Sequence, residues 1–379
     1  MSCKFLRHVL PIFGGLLICS GAYAADLSWD GFGSAFYGQT FSHDILPFGF
    51  QNNRPDFTDF SLFGLNVNAK LDDHWSAGAQ LVGLGDHTAA ANPTGTNNIT
   101  GALSPVSTFS IQASWAYVSY KTDEGTNFKL GRQRFPIFSA SEYIYEHAKL
   151  PYRELPAVVF QMAPFVAFDG ASISHEFDVG AGKVNVQVFG GTPILAIIPP
   201  AGGVTSLTNL VGARINFEGD GWRIRGLAAR SSSQSTANNG TVSQADSNYF
   251  SGGYRFDKYN IVSWGEYIFR NAPDGTPTPL GTYLGNGKAG YVLGGYRIGA
   301  WMPRYTFAQA NANLGAIGNG KTTTHTIGVN YQANEKIVVK AEYELTIPGP
   351  DGGYKTTPAD PTVTGSNGQS IYAGVDFLM

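Results

Sequence analysis

The sequence has few charged residues and almost no cysteine. Of its 379 residues, 14% are charged, whereas soluble globular domains have about 25%. The net charge of −3 and the isoelectric point near 6.2 exclude the strongly basic surface that binds nucleic acid. No apolar run of helix-spanning length occurs outside the N-terminus, which argues against a helical membrane protein. Because 13% of the residues are aromatic and 48 are glycine, we expect a folded, β-rich chain.

The first 24 residues have the pattern of a cleaved signal peptide. A basic start is followed by an apolar stretch from Val9 to Ile18, and Ala22-Tyr23-Ala24 matches a cleavage site. A buried N-terminal helix is the alternative. Both cysteines, Cys3 and Cys19, fall in this piece. The remaining chain, 25–379, is therefore expected to be one domain without a disulfide, thiol catalysis or a cysteine-ligated metal.

Apolar and polar residues alternate along most of the chain. Valines occupy every second position from 184 to 188, and apolar residues alternate with Lys340, Glu342 and Glu344 near the C-terminus. This period of two predicts strands with one apolar and one polar face. A soluble sandwich would bury the apolar face, whereas a membrane barrel turns it to lipid.

The lengths of the connections separate these two architectures. About sixteen strands are expected between Ser28 and Met379, with seven short turns alternating with eight long polar connections. Bacterial up-and-down barrels have short periplasmic turns and long extracellular loops, whereas a sandwich has no reason to collect its long loops at one end. We therefore predict an all-β, antiparallel transmembrane barrel. The long connections are expected near 42–56, 85–108, 138–164, 191–206, 231–246, 271–287, 311–321 and 347–368.

Three segments resemble Gram-negative outer-membrane porins. LGRQRFP (130–136) is similar to their fifth strand, and GYRIGAWMPRYTF (295–307) is similar to a hairpin of proteobacterial porin-like proteins. The last strand resembles the C-terminal strand that the outer-membrane assembly machinery recognises. The chain nevertheless ends in Met379, where Phe or Trp is usual.

The resemblance implies a channel in the bacterial outer membrane, reached by export through the periplasm. A porin of this kind is a homotrimer surrounded by outer-membrane lipid, and it passes small hydrophilic solutes or ions by passive diffusion. No enzymatic activity, cofactor, metal or nucleic-acid partner is expected. About sixteen strands suffice to leave an aqueous channel in a barrel.

The third long connection, 138–164, is predicted to fold into the lumen and narrow it. Its carboxylates Glu142, Glu146 and Glu154 lie among many aromatic residues, which suit a loop that packs against the barrel wall. The alternative is a loop that covers the outer mouth.

Five arginines are candidates to face these carboxylates: Arg132, Arg134, Arg214, Arg223 and Arg225. Three of them alternate with apolar residues, but Arg132 and Arg134 share the parity of Leu130. Because an arginine at the lipid-facing midplane costs about 2–4 kcal/mol, a bulge or twist at Gly131 is expected to turn both inward. Such a basic ladder would select ions by sign. Alternatively, these arginines line the wall away from the constriction.

Two other classes of function remain open. An enzyme is poorly supported, because His175-Glu176 lacks the second histidine of a zinc helix and no G-x-S-x-G motif occurs. A surface adhesin or structural barrel with a closed pore is the other class. Within the channel class, a substrate-selective channel is the alternative to a general porin.

Overall fold

The computed structural model describes residues 26–41, 55–58, 61–85, 109–160, 162–163, 165–195, 204–236, 242–271, 286–313, 319–349 and 367–379. The predicted signal peptide, residues 1–24, lies outside the described residues. In the described part of the chain, no helix is both long and apolar enough to cross a membrane.

Sixteen antiparallel strands form a closed barrel in which each strand pairs with its neighbours in sequence and β1 pairs with β16. The prediction of a sixteen-stranded up-and-down all-β barrel is confirmed. The strands are β1 (Asp26–Thr40), β2 (Leu62–Lys70), β3 (Trp75–Gly85), β4 (Phe109–Lys121), β5 (Asn127–Arg134), β6 (Phe165–Val179), β7 (Gly182–Leu195), β8 (Val204–Gly219), β9 (Trp222–Thr236), β10 (Val242–Lys258), β11 (Ile261–Asn271), β12 (Gly287–Tyr296), β13 (Trp301–Asn313), β14 (Asn319–Asn334), β15 (Ile337–Pro348) and β16 (Gly368–Leu378).

All seven predicted short turns are present, but some connections at the other end of the barrel are shorter than predicted. β9 and β10 are separated only by 237–241, and β13 and β14 only by 314–318, so the predicted long loops 231–246 and 311–321 are wrong. Ladder hydrogen bonds join backbone groups, so polar sequences such as those near the ends of β9 and β10 pair as well as apolar ones. Where both faces are polar the alternation disappears, and the sequence then resembles a loop.

The two faces of the wall differ in the way that the alternation predicts. On β9, Ile224 is 56% exposed on the outer face, whereas its neighbour Arg225 is 5% exposed on the inner face. Trp75, Tyr259 and Trp301 are exposed beside short turns. The polar residues of the wall are therefore collected inside, where they determine the chemistry of the interior.

Gly131 twists β5 without a bulge. Cross-strand pairs run without a shift from Lys129 to Arg132 on both sides of the strand. Gly131 itself has a φ of +128°, which side chains disfavour, and a Cβ there would lie 2.4 Å from the carbonyl oxygen of Ala116. Of the predicted bulge or twist, the structure therefore has the twist.

We expect Gly131→Ala to destabilise the barrel by about 1–3 kcal/mol, because the new methyl group meets strained backbone on one side and a carbonyl on the other. The measurement is urea unfolding followed by tryptophan fluorescence. Gly294→Ala on β12 is the matched control, since a Cβ there meets no atom within 4 Å. Equal urea midpoints for the two variants would contradict the conclusion that a side chain at position 131 is strained.

Candidate functional site

The chain between β5 and β6 folds into short turns instead of strands. We call residues 135–160 and 162–163 the β5–β6 segment. It contains two 3-10 turns, Ser141–Tyr143 and His147–Lys149, and one helical turn, α1 (Ala157–Phe160). Most of its side chains are buried, and the barrel wall supplies the atoms that cover them.

Apolar side chains fix the β5–β6 segment to one half of the wall. Phe135 stacks on Phe165, with ring centroids 4.5 Å apart. Fully burying one such side chain contributes about 1.5–3 kcal/mol, so a cluster of this size fastens the segment firmly. The members from the wall include Phe189, Leu207, Leu210, Leu227, Tyr249, Val262, Trp264, Ile268, Tyr291, Leu293, Met302 and Ala308, which belong to strands β7 to β13.

Arg225 fixes the start of the segment. Its Nη1 donates to the carbonyl oxygen of Ile137 at 2.7 Å and pairs with Glu266 Oε1 at 3.2 Å, and its Nη2 donates to the carbonyl of Pro136. Glu266 also accepts the backbone N–H of Ser139. Both charged side chains are almost fully buried. Arg225 therefore positions the main chain of the segment, and little of its charge is open to solvent.

Lys340 fixes the middle of the segment from another part of the wall. Its Nζ donates to the carbonyl oxygens of His147 at 2.6 Å and Tyr152 at 2.9 Å, and it lies 2.8 Å from Asp376 Oδ2. Close by, Glu342 accepts the backbone N–H of Arg153 at 2.6 Å. The inward charges of β15 thus bind backbone groups of the segment, and Asp376 of β16 pairs with one of them.

A third contact joins the segment to β2 and β3. Arg134 Nη2 donates to Gln80 Oε1 at 2.9 Å, and its guanidinium lies 4.4 Å from the ring centre of Tyr145. Gln80 Nε2 lies 3.3 Å from Glu146 Oε1, and Asn66 Nδ2 lies 3.5 Å from the same oxygen. Arg134 and Glu146, both predicted site residues, are therefore buried together against the wall.

These contacts lie on opposite sides of the barrel. Arg225 is on β9, and Ser34, whose hydroxyl lies 3.2 Å from His147 Nδ1, is on β1. β1 and β9 are eight strands apart in the closed order of sixteen. The β5–β6 segment therefore reaches across the barrel from one side of the wall to the other.

Ser34, His147 and Asp376 lie together but lack the geometry of a catalytic triad. The Ser34 hydroxyl donates directly to Asp376 Oδ1 at 2.6 Å, and His147 presents the same Nδ1 atom to both residues, 4.0 Å from the carboxylate. In a triad, one imidazole nitrogen contacts the serine and the other contacts the acid. The cluster is buried and stabilises the segment.

We expect this cluster to make the fold sensitive to acid. Burial lowers the pKa of His147 from 6.5 to about 4; Asp376 opposes this shift and Lys340 assists it. The unfolded chain therefore binds a proton that the folded chain does not, so stability is full above pH 6.5 and falls toward pH 4. Between pH 6.5 and 5.0 the expected loss is about 1.5 kcal/mol. Urea unfolding at both pH values measures it, and His147→Asn should remove this part of the loss; an unchanged loss would contradict the assignment.

An ion pair between Glu142 of the segment and Arg214 of the wall joins the two. Arg214 Nη1 lies 2.9 Å from Glu142 Oε1, and the Glu142 side chain is 61% exposed. Desolvation by the surrounding protein raises the pKa of Glu142, but attraction by Arg214, Lys129 and Arg223 outweighs it, so the pKa is below its ordinary value. A carboxylate of the segment thus meets an arginine of the wall.

Arg255 is a functional candidate that the sequence analysis missed. Its guanidinium lies 3.8 Å from the ring centre of Trp264 and 4.8 Å from that of Tyr143. Within the described residues, its Nε and Nη2 have no hydrogen-bond partner. Arg255 is the cross-strand neighbour of Arg223. It alternates with Tyr254 and Phe256 along β10, and this alternation was the sequence signal that its side chain faces inward.

Three predicted site residues form other ion pairs. Arg223 pairs with Glu218 at 2.5 Å beside a short turn. Glu154 pairs with Arg153. Arg132 forms a two-bond ion pair with Asp169 and does not join the segment, so the expected inward turn is wrong for Arg132. Its cross-strand neighbours are Ala116 and Asp169, which lie on the outer face.

A polar part of the inner wall stays free of the β5–β6 segment. A cavity of about 320 Å³ lies against strands β1 to β5. Its polar lining residues include Asp26, Ser28, Asn68, Lys70, Tyr117 and Lys129. Hydroxyl, amide and charged groups of this kind favour water. In the described residues, no group of three or more His, Cys, Asp or Glu side chains is arranged to hold a metal ion.

No protein-family model matches the sequence, and a comparison with curated proteins found no match. Solved structures do match. OmpF of Salmonella typhi in complex with daunomycin is 12% identical with a TM-score of 0.59, covering 93% of this chain and 97% of its own. The anion-selective porin of Comamonas acidovorans is 13% identical with a TM-score of 0.55, covering 94% of this chain and 100% of its own. OmpT of Vibrio cholerae in a trimer form is 13% identical with a TM-score of 0.56, covering 94% of this chain and 100% of its own. The chain therefore has the fold of outer-membrane porins.

Proposed function

We propose that the protein is an outer-membrane channel through which small hydrophilic solutes and ions diffuse passively. The observation that carries the proposal is a closed barrel of sixteen strands with an apolar outer face and a polar inner wall that the β5–β6 segment covers only in part. Barrels of this size leave an aqueous lumen unless something plugs it. The shared fold with outer-membrane porins supports the same location, and the trimer form of OmpT of Vibrio cholerae supports a homotrimeric assembly.

In this proposal the β5–β6 segment narrows the lumen and does not close it. The segment packs on β7 to β13 through apolar side chains, so solutes pass beside β1 to β5, where polar side chains of the inner wall remain open. Glu142 and Arg214 border this gap, with Arg255 and Arg223 on the neighbouring strands. Of the eight predicted site residues, Arg134, Arg225 and Glu146 then act by holding the segment in place.

The protein is proposed to have no enzymatic activity. Ser34, His147 and Asp376, which lie together, are buried and wrongly arranged for nucleophilic attack. A surface adhesin or structural barrel with a closed pore is the remaining alternative, and electrical recording separates it from a channel.

The experiment is conductance of the purified, refolded protein in planar lipid bilayers. Stepwise openings that arrive in threes are the expected result for an open trimeric pore. A barrel whose folding is verified by its shift in gel mobility upon heating, yet which gives no conductance, would overturn the proposal in favour of the closed barrel.

A further inference from the structure

Arg132 and Asp169 form an ion pair on the outer face of the barrel. Arg132 Nε lies 3.0 Å from Asp169 Oδ1, and its Nη2 lies 3.2 Å from Oδ2, so the two side chains meet through two parallel bonds. Arg132 Nη1 also donates to the carbonyl oxygen of Ala113 at 3.2 Å. The two side chains are 34% and 54% exposed. The pair is thus joined at both ends but only half covered by its own chain.

The ion pair lies inside the apolar band of the outer face. Leu130 and Ile173, on the same two strands and nearer the short turns, are 69% and 41% exposed. Ile111 on β4 lies farther toward the opposite end and is 67% exposed. Lipid chains offer no hydrogen bonds to the remaining polar atoms of such a pair, so its exposed half requires a protein surface.

The side chains directly beside the pair include small ones, which let a second protein approach closely. Ala116 is the cross-strand neighbour of Arg132, and Ala171 follows Asp169 on the same face of β6, next to Gly190 of β7. The far side of the barrel instead carries large exposed rings, such as Tyr267 and Phe269. Small residues favour helix and strand contacts between proteins in membranes because they let backbones come together.

We infer that the outer face around Arg132 and Asp169 on β4 to β6 is the contact surface for a second copy of this chain. The patch carries one positive and one negative group side by side, so it is complementary in charge to another copy of itself. Copies arranged around an axis at this patch place each arginine beside a carboxylate of a neighbour. The inference locates the assembly surface within the proposed function, but its test does not depend on conductance.

The test is the oligomeric state of the full-length protein extracted from membranes in mild detergent, measured by light scattering during size-exclusion chromatography. Wild type is expected to be oligomeric. Asp169→Arg places two positive charges on the patch and is expected to give monomers that keep the heat-dependent gel mobility of a folded barrel. The double variant Arg132→Asp/Asp169→Arg restores the pair and is expected to restore the oligomer.

Asp246→Arg is the matched control. Asp246 pairs with Arg230 on the outer face of β9 and β10, far around the barrel, so this charge reversal should leave the oligomer intact. A folded Asp169→Arg variant that stays oligomeric, or a wild type that is monomeric, would overturn the inference. Oligomers without conductance would contradict the proposed channel but not the contact surface. Monomers that conduct would contradict the contact surface but not the proposed channel.

Discussion

Arg225→Ala is expected to lower the free energy of unfolding by about 3–5 kcal/mol and to make the channel current unsteady. The substitution leaves the buried Glu266 carboxylate without its cation, and it removes the donors to the carbonyl oxygens of Pro136 and Ile137. Removing one partner of a buried ion pair costs this much because the other charge remains buried and uncompensated. The measurements are urea unfolding and the variance of the open-channel current.

Arg223→Ala is the matched control for this prediction. Arg223 lies two residues away on the same face of β9, but it pairs with the half-exposed Glu218 and is itself 30% exposed. Pairs of this kind contribute about 0–1 kcal/mol. A second comparison is Arg225→Met/Glu266→Leu, which removes both charges and should recover part of the lost stability. Similar losses for Arg223→Ala and Arg225→Ala would show that Arg225 does not anchor the segment.

The barrel was predictable because its wall is made by a repetitive local pattern. Alternation at Val184, Val186 and Val188 needs no knowledge of distant residues, since the pleat alone sends them to one face. The prediction failed at the ends of β9, β10 and β14, where both faces are polar, and at the end of β13, where the only apolar residues are alanines. There the backbone ladder continues with little or no apolar signal in the side chains.

The roles of the charged residues were less predictable, because their partners are distant in sequence. The sequence indicates that Arg225 and Lys340 face inward, but their partners are backbone carbonyls of the β5–β6 segment. No local pattern specifies the path of that segment. Arg132 shows the same limit. Its partner Asp169 lies 37 residues away in the sequence, and because the two form an ion pair, Arg132 can lie on the outer face without turning inward.

Arg255 and Glu142 are expected to act in opposite directions on ion selectivity. Arg214 faces Glu142 and Arg223 faces Glu218, so these charges largely offset each other near the gap. Arg255 contacts aromatic rings and forms no ion pair among the described residues, and Glu266 and Glu142 act on it only from a greater distance, so part of its positive charge is left unmatched. We therefore expect wild type to prefer anions in a reversal-potential measurement under a salt gradient.

Arg255→Gln is expected to reduce the anion preference and Glu142→Gln to increase it. A unit charge at about 4 Å in water changes the energy of a passing ion by about 1 kcal/mol, or about fivefold in local occupancy. The recordings use low salt, because screening at high ionic strength hides such effects. Lys258→Gln, which removes the same charge from an exposed pair with Asp220 beside a short turn, should leave the reversal potential unchanged. A wild-type preference for cations that Arg255→Gln does not alter would contradict the role given to Arg255, because a charge near the path of the ions must act on them.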